Sequence, residues 1–212
     1  IAFQVSRLMV KLGVFSALSE ASEGLTPKQI ADATKLSAYA VQILLEASLS
    51  IGTVIVRDDR FLLTKAGWFL LRDKTTQVNM DFVQEVCYLG LNHLEEALIE
   101  GKPAGRKVFG SWPTIYEGLS ELPAEAQQKW FAFDHYYSDY SFADALNIIF
   151  KEEVHTLLDV GGNTGRFALR CVDFNPKVQV TIMDLPQQLS LMQEHIKGKK
   201  GADRIYAYPA NL

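Results

Sequence analysis

A glycine-rich turn between two apolar runs, each ending in an acid, restricts the fold of this chain more than any other segment. The first run leads through Asp159 into Gly161, Gly162 and Gly165, and the second, residues 180–184, ends at Asp184. A strand that turns sharply into a helix and is followed by a second strand is typical of a nucleoside-binding β-α-β unit. The sequence therefore predicts parallel strands whose carboxyl ends meet at one ligand crevice.

The spacing of the glycines separates two kinds of nucleoside ligand. A dinucleotide fingerprint, G-x-G-x-x-G, would require glycine at the position of Val160. The chain instead has an acid ahead of the glycines, and a carboxylate repels a pyrophosphate but attracts a cationic or zwitterionic group. A nicotinamide cofactor is therefore disfavoured, and a tight turn without any ligand is the plainest alternative.

This acid-led glycine pattern resembles the first motif of class I S-adenosylmethionine-dependent methyltransferases. The resemblance implies that the loop holds the methionine portion of S-adenosyl-L-methionine and that Asp184 accepts hydrogen bonds from the ribose hydroxyls. Asn163 stands where the family often has glycine, and asparagine tolerates left-handed backbone angles. Asn211 stands where the family has an acid that contacts adenine. The implied cofactor-binding residues are Asp159, Gly161, Gly162, Asn163, Gly165, Asp184, Leu185, Asn211 and Leu212.

Size and composition fit an ordinary globular protein. The chain has 212 residues, 48% of them hydrophobic and 22% charged, and a net charge of −4, which allows one large or two small domains. No apolar stretch is long enough to cross a membrane, and residues 1–7 lack the basic region and apolar core of a signal peptide, so we expect neither feature. Cys87 and Cys171 lack metal-like spacing, so we expect reduced thiols, no metal and a cytoplasmic location. The missing initiator methionine suggests that earlier residues are absent.

The first hundred residues carry the signals of a winged helix. Thr26 and Gln29 form a capping box around Pro27, which predicts a helix start there. Ser37 caps a second predicted helix, whose inner face consists of Val41, Leu44, Leu45 and Leu49. Residues 54–56 and 61–63 flank a polar turn and predict a β-hairpin.

The charges of the second helix argue against DNA binding, which is the usual role of a winged helix. Between Ser37 and Ser50 there is no lysine or arginine, although phosphate contacts require cations. Only Gln42 offers a side chain suited to reading a base. Packing and oligomerisation are therefore the favoured role, and a DNA-binding regulator is the alternative.

Residues 12–18, 26–31 and 61–67 resemble the N-terminal domain of plant- and bacterial-type small-molecule O-methyltransferases. The resemblance implies a homodimer, a small-molecule methyl acceptor with a hydroxyl group, and neither nucleic acid nor membrane as a partner. It divides the chain into a dimerisation domain, residues 1–105, and connecting helices with the first part of a Rossmann-like domain, residues 106–212. The family's catalytic base, a histidine, is expected after Leu212, so no catalytic residue is assigned. A relative that binds the cofactor without methylating is a further alternative.

The middle of the chain suggests helices and an aromatic pocket. Apolar spacing predicts one helix over residues 78–99 and a long helical region over residues 123–150. Phe133, Tyr137 and Tyr140 are spaced by four and then three residues, which places them on one helical face. They are the candidate lining of a pocket for a flat aromatic acceptor, with an apolar core as the alternative. We interpret His93, His135, His155 and His195 as structural.

Apolar runs over residues 154–159, 178–184 and 204–208 predict three strands. Helices are predicted between them, over residues 164–173 and 186–196. The expected fold class is a mainly α-helical N-terminal winged helix followed by an α/β, Rossmann-like methyltransferase domain, of which the chain holds the first half.

Overall fold

The computed structural model describes residues 1–211, which form two compact units. The first comprises Ile1–Asp81 and the second begins at Phe82. This division rests on contacts within the chain. The functional boundary expected between residues 105 and 106 stays a prediction.

The first unit has the helix–helix–hairpin order predicted from the sequence. Its elements are α1 (Ala2–Lys11), α2 (Val14–Ser19), α3 (Pro27–Thr34), α4 (Ala38–Ser50), β1 (Val54–Arg57), β2 (Arg60–Leu63) and α5 (Lys65–Arg72), after which α6 (Lys74–Phe82) begins. Asp58 and Asp59 both have positive φ, as a two-residue turn between antiparallel strands requires. The core includes Met9, Phe15, Ile30 and Leu45. Leu49, predicted to lie on the inner face of α4, is instead 37% exposed because it lies in the last turn.

Side-chain caps determine where α3 and α4 begin. Thr26 Oγ1 accepts a hydrogen bond from the Gln29 N–H at 3.3 Å, and Gln29 Oε1 accepts one from the Thr26 N–H at 2.9 Å. Ser37 Oγ accepts one from the Ala40 N–H at 3.2 Å. The predicted capping box and the second cap are confirmed.

Substitution of Thr26 with alanine should lower the free energy of unfolding of the first unit by about 1 kcal/mol, because it leaves a helical N–H without its side-chain acceptor. Chemical denaturation followed by circular dichroism would measure the loss. Lys28→Ala, on the same exposed turn, is the control and should change stability by less than about 0.5 kcal/mol. Equal stability of the two variants would contradict the assigned role of the cap.

The single helix predicted over residues 78–99 is wrong. The chain leaves α6 through a π-helical turn, Val83–Cys87, and a 3-10 turn, Gly90–His93, before α7 (Leu94–Glu100). Gly90 packs against the backbone of Gly105, where a Cβ would lie 2.7 Å from the Gly90 carbonyl oxygen. This close approach of two distant glycines breaks the regular helix.

The long helical region is also interrupted. α8 (Ala124–Asp139) and α9 (Phe142–Ile149) are separated at Tyr140 and Ser141. Beyond them lie β3 (Thr156–Val160), α10 (Arg166–Phe174), β4 (Gln179–Asp184), α11 (Pro186–Ile196) and β5 (Ile205–Pro209). The predicted order is therefore confirmed, with bounds shifted by at most two residues.

The three strands form a parallel sheet in the order β3-β4-β5. Asp159 pairs with Ile182, and Asp184 pairs with Pro209, so the ends of neighbouring strands lie side by side. Fully buried Val180 and Ile182 face the core formed with α9, α10 and α11. This topology brings the turns after β3 and β4 to one edge. No helix within residues 1–211 is long and apolar enough to span a membrane.

Candidate functional site

The loop after β3 combines three positive φ angles within five residues. They belong to Gly161 (+71°), Asn163 (+52°) and Gly165 (+76°), and Gly165 caps α10. The Gly161 N–H donates to the Met183 carbonyl at 2.8 Å, which ties the loop to β4. Asn163 adopts the left-handed conformation that the sequence predicted for it.

The glycine positions of the loop differ in how much space surrounds them. A Cβ on Gly162 would lie 2.8 Å from both Asp159 Oδ2 and Ile182 Cγ2, so the loop is packed too tightly there for a side chain. A Cβ on Gly165 would press on Met192 at 3.0 Å. By contrast, a Cβ on Gly161 would meet no described atom within 4 Å. Gly161 therefore exposes its backbone to open space beside the loop.

Asp184 joins the end of β4 to this loop. Its Oδ2 accepts a hydrogen bond from the Asn163 N–H at 3.0 Å, and its Oδ1 accepts one from the Leu185 N–H at 2.8 Å. Each carboxylate oxygen has a second lone pair that can accept another donor. Asp184 therefore orders the loop while keeping capacity to bind a hydroxyl group.

Asp159 is a buried carboxylate with an unsatisfied oxygen. Its Oδ2 is inaccessible and has no hydrogen-bond partner within residues 1–211. Burial, and then the charge of Asp184, raise the pKa of Asp159 to about 6. An unpartnered buried acceptor is costly, and a cationic group in the adjoining cavity would favour the ionised form of Asp159.

Two cavities adjoin the glycine loop and share Asp134, Gly161 and Asn163. The larger has a volume of about 670 Å³ and reaches Asp159, Gly162 and the side chains of α8. The smaller has a volume of about 250 Å³, and its further lining residues are Tyr116, Leu119, Trp130, Asp184, Leu185 and Gln188. The loop is thus positioned to contact one ligand that extends into both cavities.

The aromatic residues predicted to line an acceptor pocket divide into two groups. Phe133 and Tyr137 line the larger cavity, with ring centroids 5.0 Å apart. Tyr140 does not line it; its side chain is 74% exposed and packs edge-on against Tyr136. Tyr140 follows the last residue of α8 with helical backbone angles (φ −66°, ψ −27°), and its ring packs on Tyr136, one turn earlier, rather than lining the cavity.

Asp134 and Thr164 were not predicted as site residues and His135 was interpreted as structural, but all three line the larger cavity. Asp134 Oδ2 accepts hydrogen bonds from Trp130 Nε1 at 2.9 Å and from Asn163 Nδ2 at 3.2 Å. His135 Nε2 lies 3.0 Å from Thr164 Oγ1, and burial lowers the pKa of His135, which favours the neutral imidazole. The i, i+4 spacing of Trp130 and Asp134 on one helix was the available signal.

The remaining predicted residues lie near the end of the described chain. The Ala210 N–H donates to the Asp184 carbonyl at 3.0 Å, and Asn211 follows it as an exposed residue at the same sheet edge. Leu212 lies outside the described residues. Within residues 1–211, no three histidine, cysteine, aspartate or glutamate side chains are grouped so as to hold a metal ion.

Comparison with known families identifies the class of protein that this fold and site define. A model described as an O-methyltransferase domain matches residues 91–207, more than half of the chain, and one described as a Dimerisation2-like domain matches residues 1–61. The chain belongs to the O-methyltransferase domain family. The resemblance drawn from the glycine loop and the winged helix is confirmed.

Individual relatives are similar over nearly the whole chain. L-tyrosine C(3)-methyltransferase of Streptomyces lavendulae is 28% identical over 100% of this chain and 58% of its own length. Acetylserotonin O-methyltransferase of Macaca mulatta is 24% identical over 91% of this chain and 59% of its own length. The apo structure of the S-adenosylmethionine-dependent methyltransferase SibL is 27% identical, with a TM-score of 0.66 over 99% of this chain and 62% of that one. The chain thus spans about three-fifths of the length of these relatives.

Proposed function

We propose that this protein binds S-adenosyl-L-methionine at the glycine loop and transfers its methyl group to a small molecule. The observation that carries the proposal is the cavity at the glycine loop, which is lined by Asp159 and by Gly161, whose backbone faces open space. The methionine ammonium group of the cofactor is a cationic donor that the carboxylate of Asp159 attracts. The match to the O-methyltransferase domain and the methyltransferase relatives support the same reading.

The two cavities suggest which residues hold each end of the cofactor. Asp159 and Gly161 would hold the methionine end, and Asp184 and Leu185 would hold the ribose, with the hydroxyl groups donating to the Asp184 carboxylate. Asn211 and Leu212 are proposed for the adenine. Gly162, Asn163 and Gly165 shape the loop rather than supply side-chain contacts to the ligand.

The bound cofactor supplies an electrophilic methyl group on a sulfonium. The chain's own contribution is to bind, orient and shield the reactants, which lowers the barrier by positioning. Phe133, which is half-buried, and Tyr137, which is 49% exposed, both line the larger cavity and are proposed to contact an aromatic acceptor; Tyr140 is not. Aromatic faces also attract a sulfonium cation, which favours donor and acceptor in the same cavity.

A hydroxyl group is the proposed acceptor, following the O-methyltransferase domain match. A ring carbon is the second candidate, because the relative that matches 100% of this chain is named as a C-methyltransferase. The products are distinguishable. Methylation on oxygen removes the alkaline ultraviolet shift of a phenol, whereas methylation on carbon retains it.

The first unit is proposed to form a homodimer. The Dimerisation2-like match supports this, as do exposed apolar side chains on α4, β1 and α5, namely Ile43, Ile55, Trp68 and Phe69. Nucleic acid is not proposed as a partner because residues 37–50, which include the second helix of the winged helix, contain no lysine or arginine to contact phosphates. The two cysteines are unbridged, which supports a cytoplasmic location. Analytical ultracentrifugation giving a monomer at micromolar concentration would contradict the dimer.

Calorimetric titration of the intact protein with S-adenosylhomocysteine tests the cofactor proposal. Saturable binding is expected at micromolar concentration, and NADH, the rival nucleotide, should not compete. Incubation with methyl-deuterated S-adenosylmethionine and a panel of phenols, read by mass spectrometry, then tests transfer. Failure of S-adenosylhomocysteine to bind would overturn the proposal.

Gly161 and Gly198 offer a matched pair of substitutions. Both have φ +71° and no described atom within 4 Å of a Cβ, but only Gly161 lines the larger cavity. Alanine at either position should lower the free energy of unfolding by a similar amount, about 1 kcal/mol. Only Gly161→Ala should also weaken S-adenosylhomocysteine binding, by about tenfold, because its methyl group occupies the ligand space. Equal affinities in the two variants would argue against a ligand at Gly161.

A further inference from the structure

The side-chain amide of Asn163 is held at both ends by neighbouring helices. Gln188 Nε2, on α11, donates to Asn163 Oδ1 at 2.6 Å, and Asn163 Nδ2 donates to Asp134 Oδ2, on α8, at 3.2 Å. Trp130 Nε1 donates to the same Asp134 oxygen at 2.9 Å. Gln188 is only 5% exposed, whereas Asp134 lines both cavities, so the network is buried at its α11 end and open to the cavities at its α8 end.

The donors and acceptors in this network determine the orientation of the amide. Asp134 Oδ2 accepts from Trp130 Nε1 and from Asn163 Nδ2, and the Gln188 nitrogen can only donate, so the Asn163 oxygen faces α11 and its nitrogen α8. The backbone N–H of Asn163 donates to Asp184 at the same time. A side chain held in this way counteracts the unfavourable left-handed backbone of a residue other than glycine.

We propose that Asp134 and Gln188 are positioning residues for the methyl-donor site. They clamp the Asn163 amide and thereby keep the glycine loop in the conformation that receives the cofactor. The proposal rests on the proposed function. Asp134 also lines both cavities, so direct contact between its carboxylate and the ligand is the competing explanation of any effect.

A double-mutant cycle separates these two roles. Asp134→Ala should weaken S-adenosylhomocysteine binding about tenfold, because the amide loses its acceptor and the loop its support. Asn163→Gly should weaken S-adenosylhomocysteine binding by less than about threefold, since glycine adopts the left-handed conformation without support from a side chain. In the Asn163→Gly background, Asp134→Ala should change affinity by less than about twofold, because there is no amide left to hold. A merely structural role for Asp134 would not produce this dependence on Asn163.

A second pair of variants tests the hydrogen bond that the Asn163 amide receives from α11. Gln188→Met removes the donor at similar volume and should weaken binding about fivefold in the wild-type background but not beside Asn163→Gly. Gln187→Met, on the exposed side of α11, is the matched control and should bind like the wild type. The Gln188 variants also test the positioning role if Asp134→Ala does not fold.

The outcomes distinguish the positioning role from the cofactor proposal. If Asp134→Ala costs the same affinity with and without the Asn163 amide, Asp134 contacts the ligand directly and the positioning role is overturned. Unchanged affinity in both Asp134→Ala and Gln188→Met would also overturn it. Absence of binding by the wild-type protein would instead contradict the proposed function itself.

Discussion

Substitution of Asp184 with alanine should abolish measurable S-adenosylhomocysteine binding, with a loss of at least about 100-fold. The substitution removes the acceptor that holds the Asn163 N–H at 3.0 Å and the proposed acceptor of the ribose hydroxyls. Two hydrogen bonds to a charged acceptor contribute about 3–6 kcal/mol together, which exceeds the free energy of a 100-fold change. Isothermal titration calorimetry of the intact protein would measure the loss.

Two further variants make the Asp184 result specific. Asp184→Asn keeps a carbonyl oxygen and should retain part of the affinity, with a loss of about tenfold. Asp203→Ala removes an exposed acid on the turn before β5 and should leave affinity unchanged. If Asp184→Ala binds S-adenosylhomocysteine with an affinity within tenfold of the wild type, the assignment of Asp184 to the ribose site is wrong.

Asp159→Asn should stabilise the protein above neutral pH. In the folded protein the pKa of Asp159 is about 6, raised from 3.8, so the folded state holds its proton more tightly than the unfolded state. The resulting stabilisation is complete below about pH 4 and is lost as the pH rises through about 6. At pH 8 the wild type therefore contains a poorly solvated charge, and its removal should raise the free energy of unfolding by about 2–3 kcal/mol. Urea unfolding at pH 4 and pH 8 would show a gain only at the higher pH.

The same substitution should weaken ligand binding because it removes the charge that attracts the ammonium group. A loss of about tenfold is expected at pH 8. Wild-type affinity should rise between pH 5 and pH 7.5 as Asp159 ionises, and the affinity of the variant should not. Asp173→Asn, at an exposed carboxylate 3.4 Å from Lys200 Nζ, is the control for both measurements. If Asp159→Asn is stabilised but binds S-adenosylhomocysteine as tightly as the wild type, Asp159 does not contribute to cofactor binding.

Local signals in the sequence predicted much of this fold. Thr26 and Ser37 indicate helix starts because a short polar side chain can satisfy the N–H groups of the turn that follows it. The apolar runs that became β3, β4 and β5 were visible because each is bounded by a turn residue. The left-handed Asn163 was also predictable, since its residue type tolerates the angle that the loop requires.

Contacts between distant residues account for what the sequence did not reveal. Gly90 and Gly105 approach each other through tertiary packing, and the spacing of apolar residues along the chain does not predict that contact. Tyr140 lies at the end of α8 and is 74% exposed, and the spacing of aromatic residues alone does not record which of them meets solvent. Asp134 became a site residue only because α8 brings it to Asn163, 29 positions further along the chain.

The strand order also bears on how the donor site forms during synthesis. Each strand pairs with its neighbour in the chain, residue 156 with 179 and residue 180 with 205, so both crossovers close short loops. The entropic cost of closing a loop grows only with the logarithm of its length, and segments nearer the N-terminus fold first during synthesis. We therefore expect the glycine loop to be assembled as soon as β4 pairs with β3. A cofactor bound at that stage would stabilise the growing sheet by mass action.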